Sequence, residues 1–310
     1  TSGIATNATA ITANQDDIAL LGFKVAANGS LARYNLVDQS IDAFEDASGV
    51  DASASTNEVR NDDNYYVGAI GSETVSAFTA SGTYTTDSAT TSIEVLVVGG
   101  GGGGGSYGGG GGGGAGGVVH HTAYVVTPST DYAITVAGTA GGWTSGADSV
   151  FDTAGVGAGP ITALGGGAGN KSEASGTAGG SGGGGGYSGS GGAGNQGDSG
   201  GGTGYGYAGA SGQTGTYIGG GGGGASATGV APSGGQSDGG AGKLFPSFVA
   251  YGTDSSNVAS TGSNGGYFGG GGGGGAHLNY TNNGGVGGVG GGGSGPRPAS
   301  PARTGDVGMA

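Results

Sequence analysis

Two glycine runs of seven residues each constrain this chain more than any other feature. The runs occupy residues 99–105 and 108–114, and two residues separate them. An alternating apolar segment at 93–98 precedes them, and the β-branched pair Val118 and Val119 follows. A flexible linker would not need two equal runs between strands. The equal lengths therefore predict parallel rods that fit one layer.

Glycine folds only when its backbone groups find partners. Each glycine loses more conformational freedom on folding than any other residue and has no side chain to bury. An ordered form that suits it is the left-handed polyproline II helix, which has three residues per turn and no internal hydrogen bonds. Rods of this kind can bond to one another when glycine lets their axes approach. Seven residues would span roughly 22 Å. The alternative is a low-complexity linker.

Composition divides the chain near residue 98. Only seven of the 89 glycines lie in residues 1–98, and the other 82 follow. A hydrophobic content of 33% is too low for a conventional large core in the second part. Collagen requires a strict Gly-X-Y period with abundant proline, which glycine runs and seven prolines exclude.

The charge balance argues against a nucleic-acid partner. The net charge is −14, and 13 of the 21 acidic residues lie in residues 1–98. Nucleic acids require a basic stripe, and anionic membranes attract basic segments. No apolar run approaches the ~20 residues of a membrane-spanning helix, so we expect no membrane insertion. The absence of cysteine excludes disulfides and thiolate metal sites. The chain starts without Met, and we expect a fragment of a longer protein.

These patterns predict four segments and a mainly β fold with few or no α-helices. Residues 1–75 are polar and are predicted to form an N-terminal joining module. The helical spacing of apolar residues from Leu36 to Phe44 predicts a short helix within it. Residues 76–138 are predicted to alternate as strands around the first glycine insert. In the strand after that insert, one face is predicted to carry Val118, His120, Thr122 and Tyr124, and the other face Val119, His121, Ala123 and Val125. Residues 139–295 are predicted to form a polyglycine II sandwich with variable loops, and 296–310 a C-terminal tail.

One phrase recurs in the glycine-rich part: an aromatic residue, six or seven glycines, and an alanine. It runs from Tyr107 to Ala115, from Tyr217 to Ala225 and from Tyr267 to Ala276. We expect the aromatic residue to cap the edge of the glycine layer. Longer loops between the copies carry the most varied chemistry, and loops on a rigid scaffold commonly perform recognition.

The order of strand, glycine run, strand, Thr-Pro-Ser and strand carries a resemblance to a known family. The segments FTASGTYTTDSATTSIEVLVVGGGGGGG and GGGGGGGAGGVVHHTAYVVTPSTDYAITVAG resemble the glycine-rich domain of bacteriophage tail-fibre and receptor-binding adhesin proteins. The segment NLVDQSIDAFEDASGVDASAST resembles parts of virion structural proteins of marine phages. The resemblance implies a polyglycine II sandwich whose loops at one end contact the host surface. The ending GPRPASPARTGDVGMA departs from the final apolar strand of such domains.

No motif predicts catalysis, a cofactor or a metal. The Gly-Ala-Gly-Lys sequence at 240–243 lacks the earlier glycine and the following Ser or Thr of a phosphate-binding loop. His120 and His121 are neighbours on a predicted strand and should face opposite sides. Acidic clusters near Asp16 and Asp62 lack the spacing of an EF-hand calcium site, and we interpret them as solvated turns.

The function predicted from these observations is host attachment by a virion fibre. Loop side chains would stack on sugars or pack on an outer-surface protein, since aromatic residues carry much of the energy at contacts. The candidate contact residues are Trp143, Tyr205, Tyr207, Phe245, Tyr251, His277 and Tyr280. The N-terminal module would join other virion proteins. Both a homotrimer and a monomeric glycine body are compatible with the sequence.

Two other functions stay open from the sequence. The first is a structural fibre or decoration protein on the head or tail of the virion, whose loops pack on neighbouring subunits. The second is an ice-binding or other extracellular glycine-rich structural protein. Ice binding requires a flat array of small residues, and no Thr-x-Thr array recurs at rod spacing.

Overall fold

A computed structural model describes residues 74–106, 109–138, 140–233, 236–277 and 283–296, and the backbone of four short strands in the first 76 residues. The chain divides into two compact units, Thr1–Ser76 and Ala77–Ala310. The only helix among the described residues is a single 3₁₀ turn at Pro246–Phe248. The prediction of a mainly β chain is confirmed. No described helix is long and apolar enough to cross a membrane.

The first unit contains two antiparallel strand pairs. Strand β1 (Phe23–Val25) pairs with β2 (Leu31–Arg33), and β3 (Phe44–Glu45) pairs with β4 (Asp51–Ala52). The helix predicted up to Phe44 is wrong at that residue, which lies in a strand. Four apolar residues at helical spacing are a weak signal that strand pairing overrides. The rest of that predicted helix and the acidic clusters near Asp16 and Asp62 lie outside the described residues.

Nine strands lie in the described residues of the second unit. Their bounds are β5 Gly82–Thr85, β6 Ser92–Val98, β7 Val118–Val125, β8 Asp131–Thr135, β9 Ser149–Phe151, β10 Ile161–Ala163, β11 Thr203–Tyr205, β12 Lys243–Leu244 and β13 Tyr267–Phe268. One antiparallel sheet has the order β10-β9-β8-β5 and another has the order β11-β7-β6. Strands β12 and β13 form a separate pair. Strands from beyond residue 138 therefore join sheets with strands before it.

A small apolar core lies between the two larger sheets. Val95, Val97 and Val119 of one sheet and Phe151 and Ile161 of the other belong to one buried cluster. The Tyr124 ring meets Phe151 edge-on at 5.2 Å, and Tyr132 stacks on Phe151 at 5.8 Å. The two sheets thus form a sandwich whose small hydrophobic core holds together a chain with few large apolar residues.

A β-bulge in β7 changes which side chains face this core. The pairing steps from Ile93–Tyr124 to Val95–His121, so β7 carries one extra residue. Tyr124 is consequently buried in the same cluster as Val119, although simple alternation from Val118 placed it on the opposite face. The predicted alternation along this strand is therefore wrong beyond His121, because a bulge inserts one residue into the period of two.

The glycine segments continue the strand pairs as rods without a change of register. Partners in β6 and β7 include Val97 with Val119, and the following glycines bond as Gly99 to Gly117, Gly102 to Gly114 and Gly105 to Gly111. In both series the residue numbers of the two partners add up to the same value, so the register is unchanged. Among the glycines, however, the hydrogen bonds recur only at every third residue. The two rods lie side by side with parallel axes, as predicted, but their chain directions are opposite, since the chain reverses between them.

Two further strand pairs show the same continuation. The register of β9 with β10 extends to a bond from Gly146 to Gly166. The register of β12 with β13 extends to bonds from Gly271 to Gly240 and from Gly274 to Ser237. Each pair is extended where side chains fill the core. It becomes a pair of rods with three residues per turn where glycine allows the two chains to approach more closely. This continuity makes the sandwich and the rods one structure.

The rod at residues 109–117 lies inside the bundle. Its successive residues bond to different neighbours, and residues three apart bond to the same neighbour, as a three-residue-per-turn helix requires. Gly111 and Gly114 donate to one rod, whereas Gly112 and Ala115 donate to another. Its partners are the rods at 99–105, 164–170, 181–186, 219–225 and 269–275. This pattern is the polyglycine II arrangement predicted from the sequence.

Glycine is required here because the rods leave no space for a side chain. A Cβ on Gly112 would lie closer than 3.0 Å to backbone atoms of Gly272 and Gly222. The alanines that end the repeated phrase, Ala115, Ala225 and Ala276, are nevertheless buried, so a methyl group fits where a rod ends. Buried hydroxyls also contribute, as Ser181 donates to the carbonyl oxygen of Gly224.

Rods, not a strand, form the last described part of the chain. The segment 284–289 bonds to the rod at 269–275 through Gly285 and Gly288. Gly295 then donates to Gly285, and Ala276 donates to Pro296. Glycine segments therefore pair with the bundle up to residue 296, and residues 297–310, which make up most of the ending noted in the sequence, lie outside the described residues.

Candidate binding surfaces at the two ends of the rod bundle

The rods of the second unit have two chemically different ends. At one end they continue into strands; we call this the strand end, and it includes residues 196–205 and 243–267. At the other end the chain reverses in short loops. We call it the distal end, and it comprises residues 141–143, 171–173, 187–188, 213–218 and 277, which flank rods joined by the bonds described above.

A row of aromatic and charged side chains occupies the distal end. The ammonium of Lys171 lies over the Trp143 ring at 5.0 Å from its centre. The hydroxyl of Tyr187 donates to Glu173 at 3.3 Å, and its ring packs on Tyr217 with centres 4.8 Å apart. The row continues from Tyr217 to His277, whose ring centres are 5.8 Å apart.

Local backbone geometry presents these side chains. Trp143, Ser172 and Tyr217 have φ values of 62°, 51° and 50°, in the left-handed region that bulky residues seldom adopt. The turn before Trp143 is held by the Thr144 hydroxyl, which donates to the Gly141 carbonyl at 2.8 Å. Since such strain persists only when the surroundings impose it and clusters at functional sites, the distal loops are candidates for recognition.

The electrostatics of the distal end are mixed. Desolvation of the Tyr187 phenol raises its pKa above the usual 10.0, and the neighbouring Glu173 carboxylate adds to the shift. Tyr187 therefore stays a neutral hydrogen-bond donor at physiological pH. One lysine and one glutamate lie beside the aromatic rings, Lys171 over Trp143 and Glu173 at the Tyr187 hydroxyl. The surface can both stack on a ligand and bond to its polar groups.

The strand end holds a different aromatic cluster. Phe245 is only 3% exposed and is packed with Val118 and Ala225, and its ring meets that of His120 at 5.2 Å. The ammonium of Lys243 lies 4.7 Å from the centre of the Tyr205 ring. His120 also approaches Glu94 to 2.6 Å. Most of these groups hold β12, β13 and the 3₁₀ turn against the β6–β7 sheet.

The structure separates the side chains that the sequence grouped as contact residues. Trp143 and His277 lie at the distal end, and Tyr205 and Tyr251 lie at the strand end. Tyr207 is 44% exposed, and its backbone bonds to the rods through Gly182 and Gly224. Phe245 is part of the core, because its ring fills the space beside the Val118 side chain. Tyr280 lies outside the described residues.

Sequence reasoning left out four members of the distal row as contact residues: Lys171, Glu173, Tyr187 and Tyr217. Tyr187 follows the glycine run at 182–186, and Tyr217 opens the second copy of the repeated phrase. The sequence feature that marks both tyrosines is therefore an aromatic residue beside a glycine run. Such a residue was predicted only to cap the edge of the glycine layer. Tyr217 does lie where a rod begins, and the same position places it next to Tyr187 and His277.

Histidines and acids do not assemble a metal site in the described ranges. No group of three or more His, Cys, Asp or Glu side chains there could hold an ion. His120 and His121 lie on opposite faces of β7, since the first meets Phe245 and the second meets Tyr124 at 5.5 Å.

Comparison with known proteins identifies the domain. The family model of the glycine-rich domain matches residues 74–310, and the chain belongs to this family. No curated protein and no solved structure matches the chain. The matched region begins just before β5 and includes both the sandwich and the rods.

Proposed function

We propose that the chain is a structural component of a bacteriophage virion, a tail-fibre or adhesin protein that binds the host cell surface through its glycine-rich domain. The observation that carries this proposal is the aromatic row at the distal end of a bundle held by backbone hydrogen bonds. Attachment to a cell requires a contact surface on a stiff support. The N-terminal module would join other virion proteins, and the domain would act outside the cell as part of the particle.

The construction of the bundle supports such a role. Interior contacts are made by backbone atoms, so the loops can change in sequence without disturbing the rods. The Trp143 ring is 45% exposed, and aromatic residues dominate binding energy at recognition surfaces. A net charge of −14 also disfavours adsorption to anionic polymers.

Binding to bacterial cells tests this proposal. Fluorescently labelled protein is mixed with a panel of bacterial strains, and bound fluorescence is measured by flow cytometry. We expect saturable binding to a subset of strains, and unlabelled protein should compete. Saturable binding to no strain in the panel would contradict the proposal.

A structural fibre or decoration protein is the second candidate. It is favoured by exposed aliphatic side chains in the strand part of the second unit, where Val125, Val156 and Val258 are 64%, 49% and 57% exposed. Such residues can pack on neighbouring subunits of a particle. This candidate predicts self-association or co-assembly without cell binding, which sedimentation of the purified chain and the cell assay distinguish.

A further inference from the structure

We infer that the distal end binds a neutral oligosaccharide. The proposed site consists of Trp143, Lys171, Glu173, Tyr187, Tyr217 and His277. This inference rests on the proposed attachment function and names the chemical class of the ligand. It depends on the alternation of rings with hydrogen-bonding side chains across the ends of neighbouring rods.

The rings provide the stacking surface. Adjacent rings from Tyr187 through Tyr217 to His277 have centres 4.8 and 5.8 Å apart and planes tilted by 49° and 57° to each other, so they form a continuous but not flat aromatic surface. Aromatic faces carry negative charge density, which attracts the polarised C–H groups on one side of a pyranose. Tyr187, Tyr217 and His277 are each half-buried, so they are held in place and still reach solvent.

The charged groups provide the directional bonds. Glu173 accepts a hydrogen bond from the Tyr187 hydroxyl at 3.3 Å, and a carboxylate has further lone pairs for sugar hydroxyls. The Lys171 ammonium over Trp143 has three donors. Donors and acceptors beside aromatic rings fit a hydroxyl-rich ligand better than an apolar protein patch, because sugar hydroxyls can bond to them in place of water.

The charge balance selects a neutral sugar. Lys171 and Glu173 are two residues apart in one loop and offset each other. A uronic acid or another acidic sugar would gain from Lys171 but would meet Glu173 and a chain of net charge −14. We therefore expect neutral hexose or N-acetylhexosamine chains to bind more tightly than their acidic counterparts.

The chain contains its own reporter for this site. Trp143 is the only tryptophan, so its emission, excited at wavelengths that tyrosine does not absorb, reports on the distal end alone. The full chain is applied to a printed array of neutral hexose and N-acetylhexosamine oligosaccharides with acidic counterparts, and each retained sugar is titrated while Trp143 fluorescence is recorded. We expect neutral sugars to be retained and the emission to change saturably.

Matched tyrosine variants locate the site. Tyr217→Ala should weaken binding by about tenfold, as loss of a central aromatic contact does. Tyr251→Ala removes the same side chain from the strand end and should leave affinity within about twofold. Thermal unfolding of both variants checks the fold, and the wild-type titration needs no substitution. Retention of no neutral sugar, unchanged Trp143 emission or an unaffected Tyr217→Ala variant would each overturn the inference.

Treatment of the cells separates this inference from the attachment function. Periodate destroys surface glycans, whereas protease removes surface proteins. Cell binding lost on periodate treatment supports the sugar ligand. Cell binding lost only on protease treatment leaves the attachment function standing and overturns the sugar. Binding to array sugars without binding to any strain supports the sugar and contradicts attachment.

Discussion

Alanine at Gly112, in the middle of the central rod, should be among the most damaging small substitutions in the chain. The added Cβ would lie closer than 3.0 Å to backbone atoms of Gly272 and Gly222, which belong to two different rods. Backbone atoms cannot rotate away as a flexible side chain can. Both rods are also fixed by hydrogen bonds, since Gly222 donates to Gly272 and Gly272 donates to Gly113 at 2.8 Å each.

The expected cost follows from the balance of two effects. At a compatible position, Gly→Ala stabilises by about 0.4–1 kcal/mol because it restricts the unfolded chain. Overpacking typically costs 1–3 kcal/mol, and contact with two fixed backbones places Gly112 at the upper end. We therefore expect the free energy of unfolding to fall by about 2–3 kcal/mol.

Chemical denaturation of the wild type, Gly112→Ala and Gly197→Ala measures this difference. Gly197 is a matched control, because a Cβ there meets no atom within 4 Å and its φ lies outside the left-handed region. Gly197→Ala should be neutral or slightly stabilising. If the two variants unfold at the same denaturant concentration, close packing of rods does not explain why glycine is needed at residue 112.

Three further substitutions test the core, the buried hydroxyls and the sandwich. Phe245→Ala should lower the free energy of unfolding by about 3–5 kcal/mol, the usual cost of removing a buried phenylalanine, and a loss below 1 kcal/mol in denaturation would place this ring outside the core. The Ser237 hydroxyl donates to the Gly219 carbonyl and is fully buried, so Ser237→Ala should cost about 1 kcal/mol by the same measurement, and a more stable variant would contradict the bond. Burial, with the Asp152 carboxylate at 2.7 Å, raises the pKa of Tyr124 above its usual 10.0. The unfolded chain then loses this proton first, so the contribution of Tyr124 to stability should be constant below pH 10 and should fall above it by up to about 1.4 kcal/mol per pH unit. Tyr124→Phe should reduce that slope in unfolding measured from pH 9 to 11, and an unchanged slope would exclude Tyr124 as its source.

Much of the fold could be predicted because glycine runs leave few physical choices. Their equal lengths between apolar strands indicated paired rods, and the bonds between 99–105 and 109–117 have that pairing. The bulge in β7 could not be predicted, since Tyr124 occupies a position that alternation assigns to the other face. The predicted helix is wrong at Phe44, because local spacing carries no information about a partner strand.

The candidate site was less accessible to sequence reasoning than the rods. Aromatic residues in loops were recognisable, but their position at one end or the other depends on the direction of each rod. Trp143 and Tyr251 look alike in the sequence and lie at opposite ends. Lys171 and Glu173 are candidate contact residues only because the fold places them beside Trp143 and Tyr187.

The sequence by itself determined the architecture and the chemistry of the interior. Residues without side chains can bury only their backbone, so the glycine runs after residue 98 had to pair N–H with C=O between closely spaced rods. The tertiary structure alone decided which rods are neighbours and which loops meet. Backbone hydrogen bonds are the same for every glycine, so the register comes from the strand pairs that continue into the rods. Those strands carry the side chains that can distinguish one partner from another.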